Sequence, residues 1–332
     1  MTLKQEPLVS VVTPVYNGEQ YLRECIESVL AQTYANWNYT VVNNCSTDRT
    51  REIALEYAAK DSRIRVIDNK TFVRVIENHN IALRQISPES KYCKVVAADD
   101  WIFPECLKRM VDLAEAHPSV AIVGAYGLEG NRVICGGLSY PSNVVPGREL
   151  CRRTILGELY VFGAPTSVLF RSDIVRSRQV FYNEENLHAD AESCYEILEN
   201  HDFGFIHQVL TYLRVQENSL TAQSGELNTY LPSDLGILVR FGPKYLSEEE
   251  RNLMIGAHLK KYYDYLGRQV FRRRGEKFWS FHRDKLAKSG YPLIKPRIAF
   301  HAMLHVLDLV YSKRTLSALG RRIRRGWSKL TG

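Results

Sequence analysis

No run of 18 apolar residues occurs in the 332-residue chain, so no transmembrane helix is expected. The opening MTLKQEPLVSVVTPVYN has no hydrophobic core ahead of a cleavage site, so no secretory signal is expected either. The nine histidines show no HExxH or other paired spacing, which argues against zinc. No GxGxxG follows the first apolar stretch, and no GxxxxGK followed by Ser or Thr occurs. Dinucleotide-binding and P-loop chemistry therefore lack their signatures. Cys25, Cys45, Cys93, Cys106, Cys135, Cys151 and Cys194 form no CxxC pair and no disulfide-like spacing. Most stand in apolar contexts, as reduced core thiols of a cytosolic protein would.

What is present is a soluble-type composition, 45% hydrophobic and 24% charged, with a net charge of +7. That charge is concentrated. From Arg297 to the end the chain carries eight Lys or Arg against one acid, Asp308, and without that tail basic and acidic residues are equal in number. The segment IAFHAMLHVLDLVY has helical apolar spacing, and Arg321-Arg322-Ile323-Arg324-Arg325-Gly326-Trp327 lies beyond it. A basic helix with Trp and Leu suits either the surface of an anionic membrane or a helical cap with a solvated end. Nucleic acid is a poorer partner, because no recognised binding fold accompanies the charge.

The rest of the chain alternates strand and helix. Leu8 to Thr13 reads as a buried strand closed by Pro14, followed by a helix over Tyr21 to Gln32 with Leu22, Ile26, Val29 and Leu30 on one face. Trp37 to Val42 is a second strand, ending in Asn43-Asn44-Cys45-Ser46-Thr47-Asp48, where Ser46 or Asp48 can cap the next helix. Ile64 to Ile67 is a third strand, Asn69 to Glu77 a loop and Asn78 to Ile86 a short helix. A strand over Val95 to Ala98 then runs into Asp99-Asp100, with a helix from Pro104 to Ala116 and a strand from Val120 to Gly124. This rhythm predicts an α/β fold with a mostly parallel sheet flanked by helices. Downstream, Gly127 to Gly147 suggests a hairpin and loops, Val168 to Phe170 a short strand, and His188 to Asn200 a turn running into a helix. Phe203 to His207 and Leu210 to Val215 suggest two closing strands. From about residue 220 the chain reads as helical, with a capping box at Ser247 and Glu250 opening a helix to about Arg273. The expected domains are residues 1–220 and 221–332, separated in the polar stretch between 216 and 228.

Asp99 and Asp100 carry the chemistry. Adjacent carboxylates repel unless a cation or strong donor lies near, and hard oxygen ligands suit Mg²⁺ or Mn²⁺. A turn with a capping Asp is the plainer alternative. Four pieces decide between them: VSVVTPVYNGEQYLRECIESVLAQTY, the NNCSTD turn, the ADDW stretch, and Asp190 at a helix start about ninety positions downstream. Together they resemble the family 2 glycosyltransferases with a GT-A fold, over residues 8 to about 215.

The resemblance implies an inverting transfer of a sugar from a nucleotide diphosphate sugar, of uridine or thymidine type, to an acceptor hydroxyl. The acceptor would be a growing polysaccharide or lipid-linked glycan. Pro14, Tyr16 and Asn17 match the loop that lies along the nucleobase and ribose. The NNCSTD turn matches the pattern D-D-G-S-T-D, whose second Asp holds the base edge; Asn44 stands there instead. Asp99 matches a position near ribose or donor sugar, and Asp100 the ligand of a divalent metal, Mg²⁺ or Mn²⁺. Ala97 replaces an Asp that many relatives carry two residues before the pair. Asp190 matches the catalytic base, with Glu192 its nearest competitor and His188 able to orient it. Trp101 and Thr166, the latter in a loop with Ser167, match the surroundings of the sugars. Asn78, His79, Asn80 and Arg84 match a helix start below the donor. Arg74 is a phosphate contact or a solvated charge, and Glu184 with Glu185 a solvated turn. A cytoplasmic enzyme, peripheral on a membrane, is the expectation. A nucleotidyltransferase would need a glycine-rich basic loop after the first strand, which TPVYNGEQY is not. A catalytically silent nucleotide-binding module is the other alternative.

Overall fold

Valine-rich stretches build the centre of the sheet. In the computed structural model, which describes residues 6–216, 226–308 and 310–311, strand β1 (Val9–Val15) is buried at every position. It pairs in parallel with β2 (Trp37–Asn43), which pairs in parallel with β3 (Ile64–Asp68). Strands flanked on both sides and covered on both faces read as continuous apolar runs, which is why this half is visible in the sequence. Pro14 lies inside β1 rather than closing it. Its register partner is Val42, whereas pairing on the other flank stops at Val12, so a residue without an N–H is tolerated there.

Helix α1 (Leu22–Leu30) buries Leu22, Cys25, Ile26 and Val29, the face its spacing predicts. Helix α2 (Thr50–Ala58) follows β2, and α3 (Val75–Leu83) begins three residues before the helix expected at Asn78. Strand β4 (Tyr92–Val95) pairs in parallel with β1. It ends at Val95, not at Ala98. The Asp100 N–H donates to the Ala97 carbonyl at 3.0 Å, so both aspartates occupy a turn ahead of the short β5 (Trp101–Ile102). Pro104 likewise stands before helix α4 (Cys106–Ala116) rather than at its first position.

From here the expected parallel sheet becomes mixed. β6 (Val120–Glu129) turns into β7 (Arg132–Ile134) as a hairpin, and β8 (Val144–Val145) leads to α5 (Gly147–Ile155). A 3₁₀ turn at Pro165–Ser167 feeds β9 (Val168–Arg171), which inserts antiparallel between β4 and β6. Helices α6 (Ser172–Arg176) and α7 (Ala189–Ile197) precede β10 (Asp202–Leu213). The sheet order is β3-β2-β1-β4-β9-β6-β10-β5. The two closing strands expected are one strand, β10, parallel to β6. Its register shifts between Ile206, Val209 and Thr211 interrupt the apolar pattern where the sequence suggested a break. One hydrophobic core has Val9, Val11, Ile26, Tyr39, Val41, Leu107, Met110 and Leu210 among its members.

These elements belong to one compact unit, Met1–Ala222; the second is Gln223–Gly332. Most of the polar stretch between 216 and 228, and the RRIRRGW segment, lie outside the described residues. The second unit contains helices Tyr230–Tyr245, Glu248–Val270 and Glu276–Lys288, and residues 295–308 are helical. Ser247 and Glu250 form the expected capping box: the Glu250 N–H donates to Ser247 Oγ at 3.2 Å, and the Ser247 N–H to Glu250 Oε2 at 3.0 Å. Ser247→Ala removes one half of it and should lower stability in urea unfolding by about 1 kcal/mol.

Candidate active site

Two loops at the carboxyl ends of β1 and β2 are laced together. The Asn17 N–H donates to Ser46 Oγ at 3.0 Å and the Thr47 N–H to Asn17 Oδ1 at 2.8 Å. The Gly18 N–H donates to Thr50 Oγ1 at 2.8 Å, and the Glu19 N–H to Asp48 Oδ2 at 3.0 Å. Asn17 reaches this geometry in the left-handed region, φ 49°, which Asn tolerates through its short polar side chain. Burial opposes ionisation of Asp48, but the Thr50 hydroxyl and the Glu19 and Thr50 N–H groups outweigh it, so its carboxyl sits below the usual range. A Cβ at Gly18 would lie 2.6 Å from Val15 Cγ2 and 3.5 Å from Ala98 Cβ. A side chain at this position would require the buried Val15 to shift, whereas its contact with Ala98 would be an ordinary one.

Pro14 is buried beneath the loop, whereas Tyr16 is 48% exposed and meets Phe72, 59% exposed, edge-on at 4.8 Å. Two aromatic rings thus stand in solvent at the rim of the crevice. Asn44 holds the segment that carries Phe72. Its Nδ2 donates to the Val73 carbonyl at 2.8 Å, while its Oδ1 accepts from the Val73 N–H and from Asn69 Nδ2, each at 3.0 Å. A carboxylate could accept those two bonds but could not donate to Val73. The departure from the family's Asp thus has a local cause. Asn69 continues to Asn78 Oδ1 at 2.9 Å.

The aspartate turn is fastened from two distant segments. Asp100 is 6% exposed. Its Oδ2 accepts from the Thr166 hydroxyl at 2.6 Å and its Oδ1 from the Arg214 N–H at 3.0 Å. Thr166 Oγ1 also accepts from the Ala97 N–H at 3.0 Å. Lys94, fully buried, donates its Nζ to the Thr166 and Val168 carbonyls, and burial pushes its pKa down. Asp99 Oδ2 accepts from Gln216 Nε2 at 2.7 Å. The Arg214 guanidinium binds the Asp99 carbonyl and Glu24 and lies 4.2 Å over the Tyr21 ring, so it pairs with neither carboxylate of the turn.

Burial, and secondarily the Asp99 charge, raises the Asp100 pKa to about 7; burial also raises that of Asp99. Two crowded carboxylates with protein donors but no ion pair fit a hard divalent cation, which favours their charged forms. Among the described residues no group of three or more His, Cys, Asp or Glu could hold a metal, so a cation would take its other ligands from substrate and water.

Asp190 stands in the first turn of α7, half-buried. Burial raises its pKa to about 6, against the Ala191 N–H and its own backbone, which hold it down. That places a carboxylate near neutral pH, where proton transfer is efficient. Glu192 is only 6% exposed and accepts from Asn186 Nδ2 at 2.7 Å and from Asn183 Nδ2 at 3.2 Å, bonds that fix the loop before α7. His188 is the N-cap residue of α7, and its N–H donates to Asn186 Oδ1 at 3.0 Å. Tyr160 donates to the Gly163 carbonyl at 3.3 Å, and burial, with the Asp190 charge second, pushes its phenol pKa up. Trp101 stacks on Tyr212 at 4.9 Å and 17°.

Two expectations change, while Arg74 is a surface charge, one of its two expected readings. Thr166, expected beside the sugars, is fully buried with its hydroxyl engaged by Asp100. It acts on the turn rather than on ligand. Glu184 is not a solvated residue: it is half-buried and accepts from Asn80 Nδ2 at 3.1 Å. Arg74 pairs with Glu185 at 3.4 Å on the surface. Sequence reasoning missed Lys94, Arg214 and Gln216. A lysine within a buried apolar strand was the one available signal, since charge at full burial needs a specific partner.

The fold is GT-A-like. The solved S. aureus TarS 1-349 with UDP-GlcNAc superposes with a TM-score of 0.64 at 16% identity, covering 85% of this chain and 80% of that one. A mannosyltransferase from Pyrobaculum calidifontis with GDP-Man and Mn²⁺ gives 0.53 at 14% identity, over 93% and 87%. The model for glycosyl transferase family 2 matches residues 10–175, and the chain belongs to that family. EpsE of Bacillus subtilis (strain 168), a glycosyltransferase by name, is 35% identical over 158 residues, 45% of this chain and 56% of its own length. An uncharacterised glycosyltransferase of Haemophilus influenzae is 31% identical over 189 residues, 55% and 58%. The chain thus spans rather more than half the length of these curated relatives.

Thr166→Val leaves the Ala97 N–H and one Asp100 oxygen without a partner and should cost about 1–3 kcal/mol in urea unfolding. The Asp100 titration has a definite sign. Its folded pKa of about 7 lies above the unfolded carboxylate value. The folded state therefore binds the extra proton, and stability falls as pH rises from about 4 to 7. In chelator-treated protein, the loss in melting temperature between pH 5 and 7 should be smaller in Asp100→Asn than in wild type.

Proposed function

We propose that the chain is an inverting glycosyltransferase, moving a sugar from a uridine or thymidine diphosphate sugar to a hydroxyl of a growing polysaccharide or lipid-linked glycan. The observation that carries this reading is the division of its buried carboxylates into two kinds. Asp99 and Asp100 are crowded and donor-rich, and neither forms a salt bridge among the described residues; Asp190 stands at a helix start with its pKa raised to about 6. An adjacent pair suits a diphosphate-bound cation, and a solitary raised carboxylate suits a base.

In this reading residues 1–220 bind the donor. Tyr16 and Phe72 lay their rings against the base, Asn17 shapes the loop beside the ribose, and Asn44 holds the Phe72 segment in place. Asp99 faces ribose or sugar. Asp100 would hold Mg²⁺ or Mn²⁺, which when bound offsets charge on the departing nucleotide diphosphate. Asp190 takes the proton of the acceptor hydroxyl as its oxygen bonds to the anomeric carbon and the bond to the nucleotide diphosphate breaks on the opposite face. His188 and Trp101 border the sugars, and Glu192 holds the loop that presents Asp190. A cytoplasmic location agrees with such a donor and with seven free cysteines. Neighbours solved with UDP-GlcNAc and GDP-Man lend support to a nucleotide-sugar donor. A B. subtilis relative named for teichuronic acid biosynthesis, 45% identical over 62 residues, lends support to an envelope polysaccharide as product.

Asp190→Asn should reduce transfer by roughly 10²–10⁴-fold while donor affinity stays within about twofold; near wild-type turnover would refute the base assignment. Asp100→Ala should weaken donor binding in Mn²⁺ by about tenfold or more in calorimetry, and an unchanged affinity would remove Asp100 from the cation site.

A further inference from the structure

Strands β4 and β9 separate just ahead of the aspartate turn. Their antiparallel register pairs Tyr92 with Arg171, Cys93 with Phe170 and Lys94 with Leu169, and ends there. Beyond Lys94 the β4 chain takes other partners. The Val96 N–H donates to the Val12 carbonyl at 3.0 Å, and the Val96 carbonyl accepts from the Thr13 hydroxyl at 2.7 Å. The Ala97 N–H donates to Thr166 Oγ1 at 3.0 Å, and the Cys25 thiol donates to the Ala97 carbonyl at 3.4 Å. Side chains thus supply most of the bonds of the two residues that lead into the turn.

Lys94 stands where the strands part. It is the last paired residue of β4 and is wholly buried, and its Nζ donates to the Thr166 carbonyl and, at 3.2 Å, to the Val168 carbonyl. Packing alone would place an apolar side chain at such a position, because burying an ammonium opposes its charge. An aliphatic residue, however, could bond neither carbonyl. Holding both of them fixes Thr166, whose hydroxyl accepts from the Ala97 N–H and donates to Asp100 Oδ2 at 2.6 Å. One hydroxyl therefore sets the residue that opens the turn and the carboxylate that closes it. Groups that bond a ligating carboxylate orient it, and through that orientation they act on cation affinity. Lys94 is one step further out, bonded to Thr166 rather than to either aspartate. We infer that Lys94 is a positioning residue, which through Thr166 sets the Asp100 carboxylate for a divalent cation. The inference rests on the reading of Asp100 as a cation ligand.

Two measurements on the full chain test it, using Lys94→Met, which keeps the length of the side chain and removes its donors. In amide hydrogen exchange, the Ala97 and Asp100 N–H groups of this variant should lose protection by about tenfold more than those of β1 and β2. In calorimetry with UDP and Mn²⁺, or dTDP where UDP does not bind, Lys94→Met should weaken binding by about tenfold. Lys94→Met/Thr166→Val should bind within about twofold of Thr166→Val alone, because both changes act on the same hydroxyl. Lys94→Gln keeps an amide donor on a shorter side chain and should fall between wild type and Lys94→Met. It carries both comparisons if Lys94→Met does not fold. A uniform loss of protection across the unit, or a double variant whose losses multiply, overturns the inference. So does unchanged affinity in Lys94→Met where Asp100→Ala loses it. If Asp100→Ala also keeps wild-type affinity, or wild type binds neither nucleotide, the reading of the site fails and the inference with it.

Discussion

Two neighbouring carboxylates, taken largely out of water, are the constraint around which the first unit is arranged. Burial raises the proton affinity of both Asp99 and Asp100, and the Asp99 charge adds to the effect on Asp100. Such a turn survives only where donors are brought to it. They arrive from far along the chain: the Thr166 hydroxyl, the Arg214 N–H and the Gln216 amide. The antiparallel insertion of β9 between β4 and β6 is what carries Thr166 there, and the end of β10 supplies the other two. Lys94 completes the arrangement from below by anchoring the Thr166 and Val168 carbonyls. The mixed half of the sheet is therefore the means by which the aspartate turn is held.

The other side of the crevice obeys a different logic. There the bonds run loop to loop, from Asn17, Gly18 and Glu19 to Ser46, Asp48 and Thr50, and from Asn44 to Val73. Most involve backbone groups, which leaves the Tyr16 and Phe72 rings free of the scaffold and open to solvent. One wall is a rigid charged turn, and the other is a laced rim with exposed aromatic faces.

Much of the first unit was legible in advance because buried parallel strands and amphipathic helices write their periods into the chain. The strands of β1, β2 and β3, the buried face of α1 and the Ser247–Glu250 box all depend on neighbours in sequence. Boundaries proved less legible where a carbonyl or a register shift decides them. The strand before the aspartates stops at Val95 because the Ala97 carbonyl closes a turn, and β10 passes unbroken through a bulge that looks like a gap.

Residue types and local spacing alone determined that this chain would form an α/β layer with two aspartates beyond a buried strand, a lone aspartate at a later helix start, and a basic carboxyl-terminal stretch. Those features need only local periodicity and composition. Only the tertiary structure decided that Thr166 serves Asp100, that Asn44 braces Val73, and that Glu192 accepts from two asparagines. Each depends on which distant segment lands beside it, and side-chain hydrogen bonds between segments leave no periodic trace in the chain that makes them.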